Sequence, residues 1–166
     1  MTRQTHHEPE KADSFTGPHQ FSLDAWISRA PFERLLHMTI VEASDGKAVL
    51  TMPFLLDLAQ GAGLMHGGAL VSLADTAVAM AIKSLLPPAT LFATISMEAR
   101  FLYPVKKGLV TARAEVVKRE GRNLQGKALL YDDEGRAVLE FSSNFKVAKD
   151  ATVGGITFGA PDSVPR

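Results

Sequence analysis

The stretch HGGALVSLADTAVAMAIKSLLPP, residues 66–88, decides the fold. It is rich in Ala and Leu, both strong helix formers. It predicts a helix from Gly67 to Leu86, which Pro87-Pro88 cannot continue. Apolar residues surround most of its circumference: Leu70, Val71, Leu73, Ala74, Ala77, Val78, Met80, Ala81 and Ile82. Only Lys83 and Ser84 are left for water. A helix apolar nearly all round is covered on most sides by other structure. Asp75 breaks the pattern from the middle of that helix, and a buried carboxylate is rare unless it is paired or functional.

The cover comes from strands on either side. Upstream, Ser22 is a good N-cap for a short helix through Arg29, with Leu23, Trp26 and Ile27 at helical spacing. Pro31 opens a second short turn with Phe32, Leu35 and Leu36. The apolar run Met38 to Ala43, the hairpin signal Asp45-Gly46 and the run Ala48 to Phe54 predict two paired strands. Downstream, Leu91–Tyr103, Leu109–Lys118, Asn123–Asp132 and Arg136–Val147 predict four more. Lys107-Gly108, Glu120-Gly121 and Asp133-Glu134-Gly135 supply the turns. Three consecutive meander connections predict an antiparallel sheet. One long helix wrapped by a curved antiparallel sheet, an α+β arrangement, buries both. Residues 1–20 read as a disordered tail and 149–166, rich in Gly, Pro, Ser and Thr, as a flexible one. The domain is 21–148.

Composition narrows the function classes. Eighteen Lys and Arg balance eighteen Asp and Glu, without the basic excess of a nucleic-acid binder. The chain has no cysteine, so thiolate metal sites and a Cys nucleophile are excluded. His6, His7, His19 and His37 lack metal-ligand spacing with Asp or Glu, so no metal is expected. No secretory h-region and no membrane-length apolar run is present, and the expected compartment is the cytoplasm. Neither a phosphate-binding GxxxxGK[ST] loop nor a GxSxG elbow occurs.

The candidate chemistry lies at the start of the long helix. The first N–H groups of a helix have no internal partner, and the helix dipole adds partial positive charge there. His66-Gly67-Gly68 therefore suits a developing oxyanion, and it equally suits a plain glycine-rich helix start. Asp75 is either a catalytic carboxylate or a structural one bonded to backbone or a threonine, with Thr76 adjacent. His66 and Asp75 are nine residues apart, about 13 Å along the axis and about half a turn around it. If both serve one carbonyl, a second copy must supply one of them, which predicts a symmetric dimer with two composite sites.

The run Gln60-Gly61-Ala62-Gly63-Leu64-Met65-His66-Gly67-Gly68, followed by Leu73-Ala74-Asp75, resembles the hotdog-fold thioesterases of the phenylacetate-degradation type. Phe101-Leu102-Tyr103-Pro104-Val105-Lys106-Lys107-Gly108 resembles that family's strand-end turn. The resemblance spans Phe32 to Val147. It implies hydrolysis of an acyl-CoA thioester by a homodimer, paired into a homotetramer. Asp75 would be nucleophile or general base, and the Gly67 N–H would polarise the carbonyl. Gln60 would orient carbonyl or water, His66 would hold the loop, and Thr94 would position water beside the acid. Lys106, Lys107, Arg119 and Arg122 are the basic candidates for the phosphates of coenzyme A. Gln60 stands where many relatives have Asn, and Ala79 where some have Thr. Two other hotdog activities compete: a non-catalytic acyl-CoA sensor, which needs no buried acid, and a dehydratase, which the HGG arrangement fits less well. The acyl pocket is expected between two helices, lined by Leu64, Met65, Leu70 and Met80.

Overall fold

The structure is a computed structural model that describes residue 21, residues 23–150, and the backbone of two short strands beyond them. The elements in order are α1 (Pro31–Leu35), β1 (Thr39–Ser44), β2 (Lys47–Pro53), a 3-10 turn (Leu56–Leu58) and α2 (Gly67–Lys83). Then follow β3 (Phe92–Phe101), β4 (Leu109–Glu120), β5 (Asn123–Tyr131), β6 (Ala137–Val147), β7 (Thr152–Val153) and β8 (Ile156–Thr157). The β7–β8 pair lies within the stretch expected to be a tail, and residues 1–20 lie outside the described residues.

The six long strands form one antiparallel sheet in the order β1-β2-β4-β5-β6-β3, with α2 packed across it. This is the α+β hotdog arrangement that the resemblance implies. One connection differs from expectation. β3 does not pair with β4; it pairs with β6 and forms an edge. A strand's alternation records which face is buried, not which strand lies beside it. The loop from Leu102 to Gly108 crosses the end of the sheet instead of turning a hairpin, and Val105 is buried within it.

The hairpin at Asp45-Gly46 forms as predicted, with φ of 49° and 75° at the two central residues, the twist a two-residue hairpin needs. The helix approaches the sheet most closely over Gly126, where a Cβ would lie 2.2 Å from the Val78 side chain. Buried Ala48, Ala112, Ala114 and Ala128 widen that low floor. Into it go Leu73, Ala77, Val78, Ala81 and Ile82, all completely covered. Truncating Leu73 to Ala would cost about 2–5 kcal/mol at such a site.

Two local expectations fail. Residues 24–28 form bends, not a helix, and the N-cap assigned to Ser22 lies outside the described residues. Leu23 to Ile27 is instead held by long-range contacts: the Trp26 Nε1–H donates to the Lys83 carbonyl at 2.9 Å, and Lys83 Nζ donates back to the Trp26 carbonyl at 3.1 Å. Lys83 and Ser84 are therefore half-buried, not solvated; the Ser84 hydroxyl accepts the Gly46 N–H at 2.8 Å. The helix itself ends at Lys83, short of Leu86.

α2 keeps one open stripe. Gly68, Ser72, Asp75, Ala79 and Lys83, at helical spacing, are exposed or half-buried, with Gly67 and Val71 beside them. Met65, Leu70 and Met80, expected to line a pocket, are buried in the core, and only Leu64 of that set is partly open.

Candidate active site

The helix start is built by a tight loop. The Gln60 N–H donates to the Leu64 carbonyl and the Gly63 N–H to the Gln60 carbonyl, both at 2.8 Å. The Met65 N–H reaches the Val105 carbonyl at 2.9 Å, tying the helix start to the crossing loop. His66 is the N-cap: its Nδ1 accepts the Gly68 N–H at 2.8 Å. That bond requires an unprotonated Nδ1, so a neutral His66 carries its proton on Nε2. Substituting a cap of this kind by Ala typically costs about 1 kcal/mol.

With Gly68 capped, the Gly67 N–H has no hydrogen-bond partner among the described residues. Phe101, at the far end of β3, lies over Gly67, and a Cβ there would come within 3.1 Å of its ring. The Gln60 side-chain oxygen accepts the Ala62 N–H, which fixes the amide and leaves its NH₂ as the free end.

Asp75 lies eight residues further along α2, about 12 Å up the axis. Its partner is Thr94 of the same chain, whose hydroxyl is 3.1 Å from both carboxylate oxygens. Of the structural alternatives left open by the sequence, the bonded threonine is Thr94; Thr76 is buried on another face of the helix. Burial raises the Asp75 carboxyl above its ordinary value, and the Thr94 hydrogen bond takes part of that back.

Thr94 reaches Asp75 because of a bulge. Thr94 pairs with Phe145 and Ser96 with Asn144, so Ile95 is an extra residue. It reverses the alternation. Thr94 shares the inner face with buried Phe145, while Ser96 faces out and accepts a hydrogen bond from Asn144 at 2.9 Å.

Within one protomer the predicted residues fall into two groups. Gln60, His66 and Gly67 sit together at the Phe101 end of β3; Asp75 and Thr94 sit together towards its Phe92 end. The basic candidates divide the same way. Lys106 follows Val105 in the crossing loop, beside the helix start, and Lys107 pairs with Glu134 at 3.7 Å. Arg119 and Arg122 lie at the β4–β5 turn, where Arg122 donates to the Val147 carbonyl at 3.1 Å, opposite Phe92. No single protomer gathers Lys106, Arg119 and Arg122 around one anion.

Sequence reasoning missed the aromatic neighbours. Phe101 over Gly67 and Trp26 against Phe92 come from segments read as a turn and as a helix. The FLYP run and the lone Trp were visible, but not what they would touch. Among the described residues no group of three His, Cys, Asp or Glu side chains could hold a metal, and no helix is long and apolar enough to cross a membrane.

Comparison with known proteins agrees with this fold. A family profile described as the thioesterase superfamily matches residues 62–139, a span that contains the helix start, Asp75 and Thr94. The chain is 32% identical over 108 residues to the 1,4-dihydroxy-2-naphthoyl-CoA hydrolase of Listeria monocytogenes, covering 64% of this chain and 86% of that one. It is 36% identical over 88 residues to a protein of Halobacterium salinarum, covering 50% of this chain; the match spans only 58% of that relative's length. Among solved structures, the E. coli PaaI protein from the phenylacetic acid degradation operon is similar with a TM-score of 0.67 and 26% identity, over 72% of this chain and 85% of that one.

Proposed function

The chain belongs to the thioesterase superfamily, a family of thioester hydrolases, and on that premise we propose that it hydrolyses an acyl-CoA thioester at a site shared by two copies. The observation that carries the shared site is the placement of the two groups along β3. Thr94 with Asp75 lies towards one end of this strand and Phe101 with Gly67 at the other. β3 is an edge strand, with one side of its backbone unpaired by the sheet. Antiparallel pairing of two such edges sets the Thr94 end of one copy against the Phe101 end of the next. Each Asp75 then faces the other copy's Gly67 N–H. The same operation brings Arg122 of one copy towards Lys106 of its partner.

The chemistry follows from the groups. The thioester oxygen accepts the free Gly67 N–H, with Gln60 NH₂ as a second donor, so charge developing on oxygen is met by fixed dipoles. Ionised Asp75 takes a proton from water as the water oxygen adds to the carbonyl carbon. The tetrahedral intermediate then expels the CoA thiolate, which takes that proton and leaves as the thiol beside the free acid. Alternatively the Asp75 carboxylate attacks first and expels the CoA thiolate, forming an anhydride that water opens at the Asp75 carbonyl carbon, the water's protons going to the thiolate and the regenerated acid group. Both routes need the carboxylate ionised. A single turnover in labelled-oxygen water separates them, because only the second passes the protein's own carboxylate oxygen to the product. The name of the Listeria relative makes an aryl thioester the first substrate to assay. The reading assigns the activity to residues 21–148, in the cytoplasm, as a homodimer paired into a homotetramer.

Mixing two inactive variants tests the shared site. Asp75→Asn and the double variant Gln60→Ala/Gly67→Val are each expected to be inactive. Refolded together at equal amounts, they should regain about a quarter of wild-type activity, since half of all dimers are mixed and each carries one intact site. No recovery from two folded, mixing variants would place the site within one chain. Tight binding of acyl-CoA without thiol release across aryl, short and long acyl groups would support the non-catalytic sensor instead.

A further inference from the structure

The gap between α2 and the β3 edge is bridged twice. The first bridge is Asp75 to Thr94. The second is Lys83 to Trp26 to Phe92: the two reciprocal hydrogen bonds clamp Trp26 to the end of the helix, Lys83 Nζ lies 4.8 Å from the centre of its ring, and the ring meets Phe92 edge-on at 6.5 Å. Phe92 in turn packs on Phe145 at 5.8 Å, and Phe145 pairs with Thr94 across the sheet. Asp75 and Lys83 are eight residues apart, about 12 Å along the helix. Thr94 and Phe92 are two residues apart, about 7 Å along the strand. Between the bridges the helix presents Ala79, half-buried and the smallest side chain that a helix favours.

We propose that Trp26 is the end wall of the acyl site and sets the length of acyl group that the protein accepts. This rests on the thioesterase reading, because the proposed acyl site begins at the Asp75 carboxylate. Its half-buried lining of Ala79, Phe92 and Trp26 is hydrocarbon, which suits an acyl chain or an aryl ring and not the amide-bearing arm of coenzyme A. Lys83 adds no free charge to it, since its ammonium is engaged with the Trp26 carbonyl and ring. The wall belongs to a segment outside the sheet-and-helix unit, so acyl specificity is set by a contact fifty-seven residues away from its anchor in sequence.

Trp26 is the only tryptophan in the chain, which makes it its own reporter. The experiment uses the full chain, a ladder of straight-chain acyl-CoAs from butanoyl to dodecanoyl, and the matching non-hydrolysable S-alkyl-CoA thioethers. In wild type, kcat/KM should fall beyond one chain length, and the emission of Trp26 should respond only to thioethers that reach that length. Trp26→Ala should move the limit to longer chains, changing the ratio of longest to best substrate about ten-fold or more. Ala79→Leu should move it to shorter ones, and Trp26→Phe should nearly keep it. If Trp26→Ala fails to fold, the wild-type emission and Ala79→Leu decide. An unmoved limit in the folded variants, or emission indifferent to chain length, overturns the wall while leaving the thioesterase reading intact. Length-dependent emission without hydrolysis of any acyl-CoA overturns the activity and keeps the wall. Neither binding nor hydrolysis overturns both.

Discussion

Asp75 and Asp132 are both drawn away from water, and the protein treats them in opposite ways. Asp132 closes the β5–β6 turn. One of its oxygens accepts the Glu134 and Arg136 N–H groups at 3.0 and 2.9 Å, and the other accepts the Arg136 guanidinium at 2.9 Å. Arg136 also stacks 4.2 Å from the Tyr103 ring, fastening that turn to the crossing loop. Burial pushes the Asp132 carboxyl up, but these donors outweigh it and hold the group below its ordinary value. Asp75 has apolar neighbours and one hydroxyl shared between two oxygens, and burial pushes its carboxyl up. A carboxylate that serves structure is saturated with donors. Asp75 is left short of them, with lone pairs to offer a proton or a carbon.

Exchanging each acid for its amide should break the comparison most sharply. Asp75→Asn should lower the rate of thioester hydrolysis by on the order of 10²–10⁴-fold in a thiol-release assay, the usual contribution of a general base. Asp132→Asn should leave the rate per folded molecule near wild type.

Thr94→Val sharpens the contrast by removing the one donor Asp75 has. The expected loss is about ten-fold in kcat near neutral pH, equivalent to one hydrogen bond to a charged group. The acid limb of the pH–rate profile should also move to higher pH, because the lowering contribution disappears. A profile that keeps its position would mean that Thr94 does not set the charge on Asp75.

The stability of the two amide variants should respond to pH with opposite signs. The folded pKa of Asp75 is raised, so its ionisation costs stability as pH climbs from its ordinary value of 3.8 through the folded one. Asp75→Asn should therefore match wild type in acid and become the more stable of the two at neutral pH. The folded pKa of Asp132 is depressed, so its contribution is present above 3.8 and lost as pH falls through the folded value. Asp132→Asn should melt below wild type at neutral pH and converge with it in acid. Thermal melts across pH read both trends, and parallel curves would contradict the assignment. The smallest effect is expected at the rim of the turn: Lys107→Ala loses an exposed ion pair and should change stability by about 0.5 kcal/mol or less.

The elements were legible wherever local chemistry decides them. Apolar runs bounded by turn signals such as Asp45-Gly46 predicted the strands, and the Ala- and Leu-rich run predicted the helix. Partner choice was not legible, because β3 has the same alternation whether β4 or β6 lies beside it. The segment from Leu23 to Ile27 carries helical spacing, yet its anchors lie on Lys83 and Phe92, and those contacts override propensity. In the candidate site, Asp75 and the helix start were conspicuous as an acid in an apolar helix and a glycine pair at its cap. Thr94 came only from resemblance, since its facing depends on a bulge that side-chain chemistry does not announce.

That bulge makes the site depend on a count and not only on residue types. Downstream of Ile95, β3 keeps its register with β6 whether or not Ile95 takes a place in the ladder; if it took one, opposite Phe145, every side chain upstream would change sides and Thr94 would fall opposite Lys146. Pairing Ile95 into the ladder would thus turn Thr94 to the outer face and leave Asp75 without its donor, whereas deleting Ile95 would keep Thr94 opposite Phe145 on the inner face. A one-residue slip in pairing would then act as a parity switch, altering the reactive group without altering any residue that touches it.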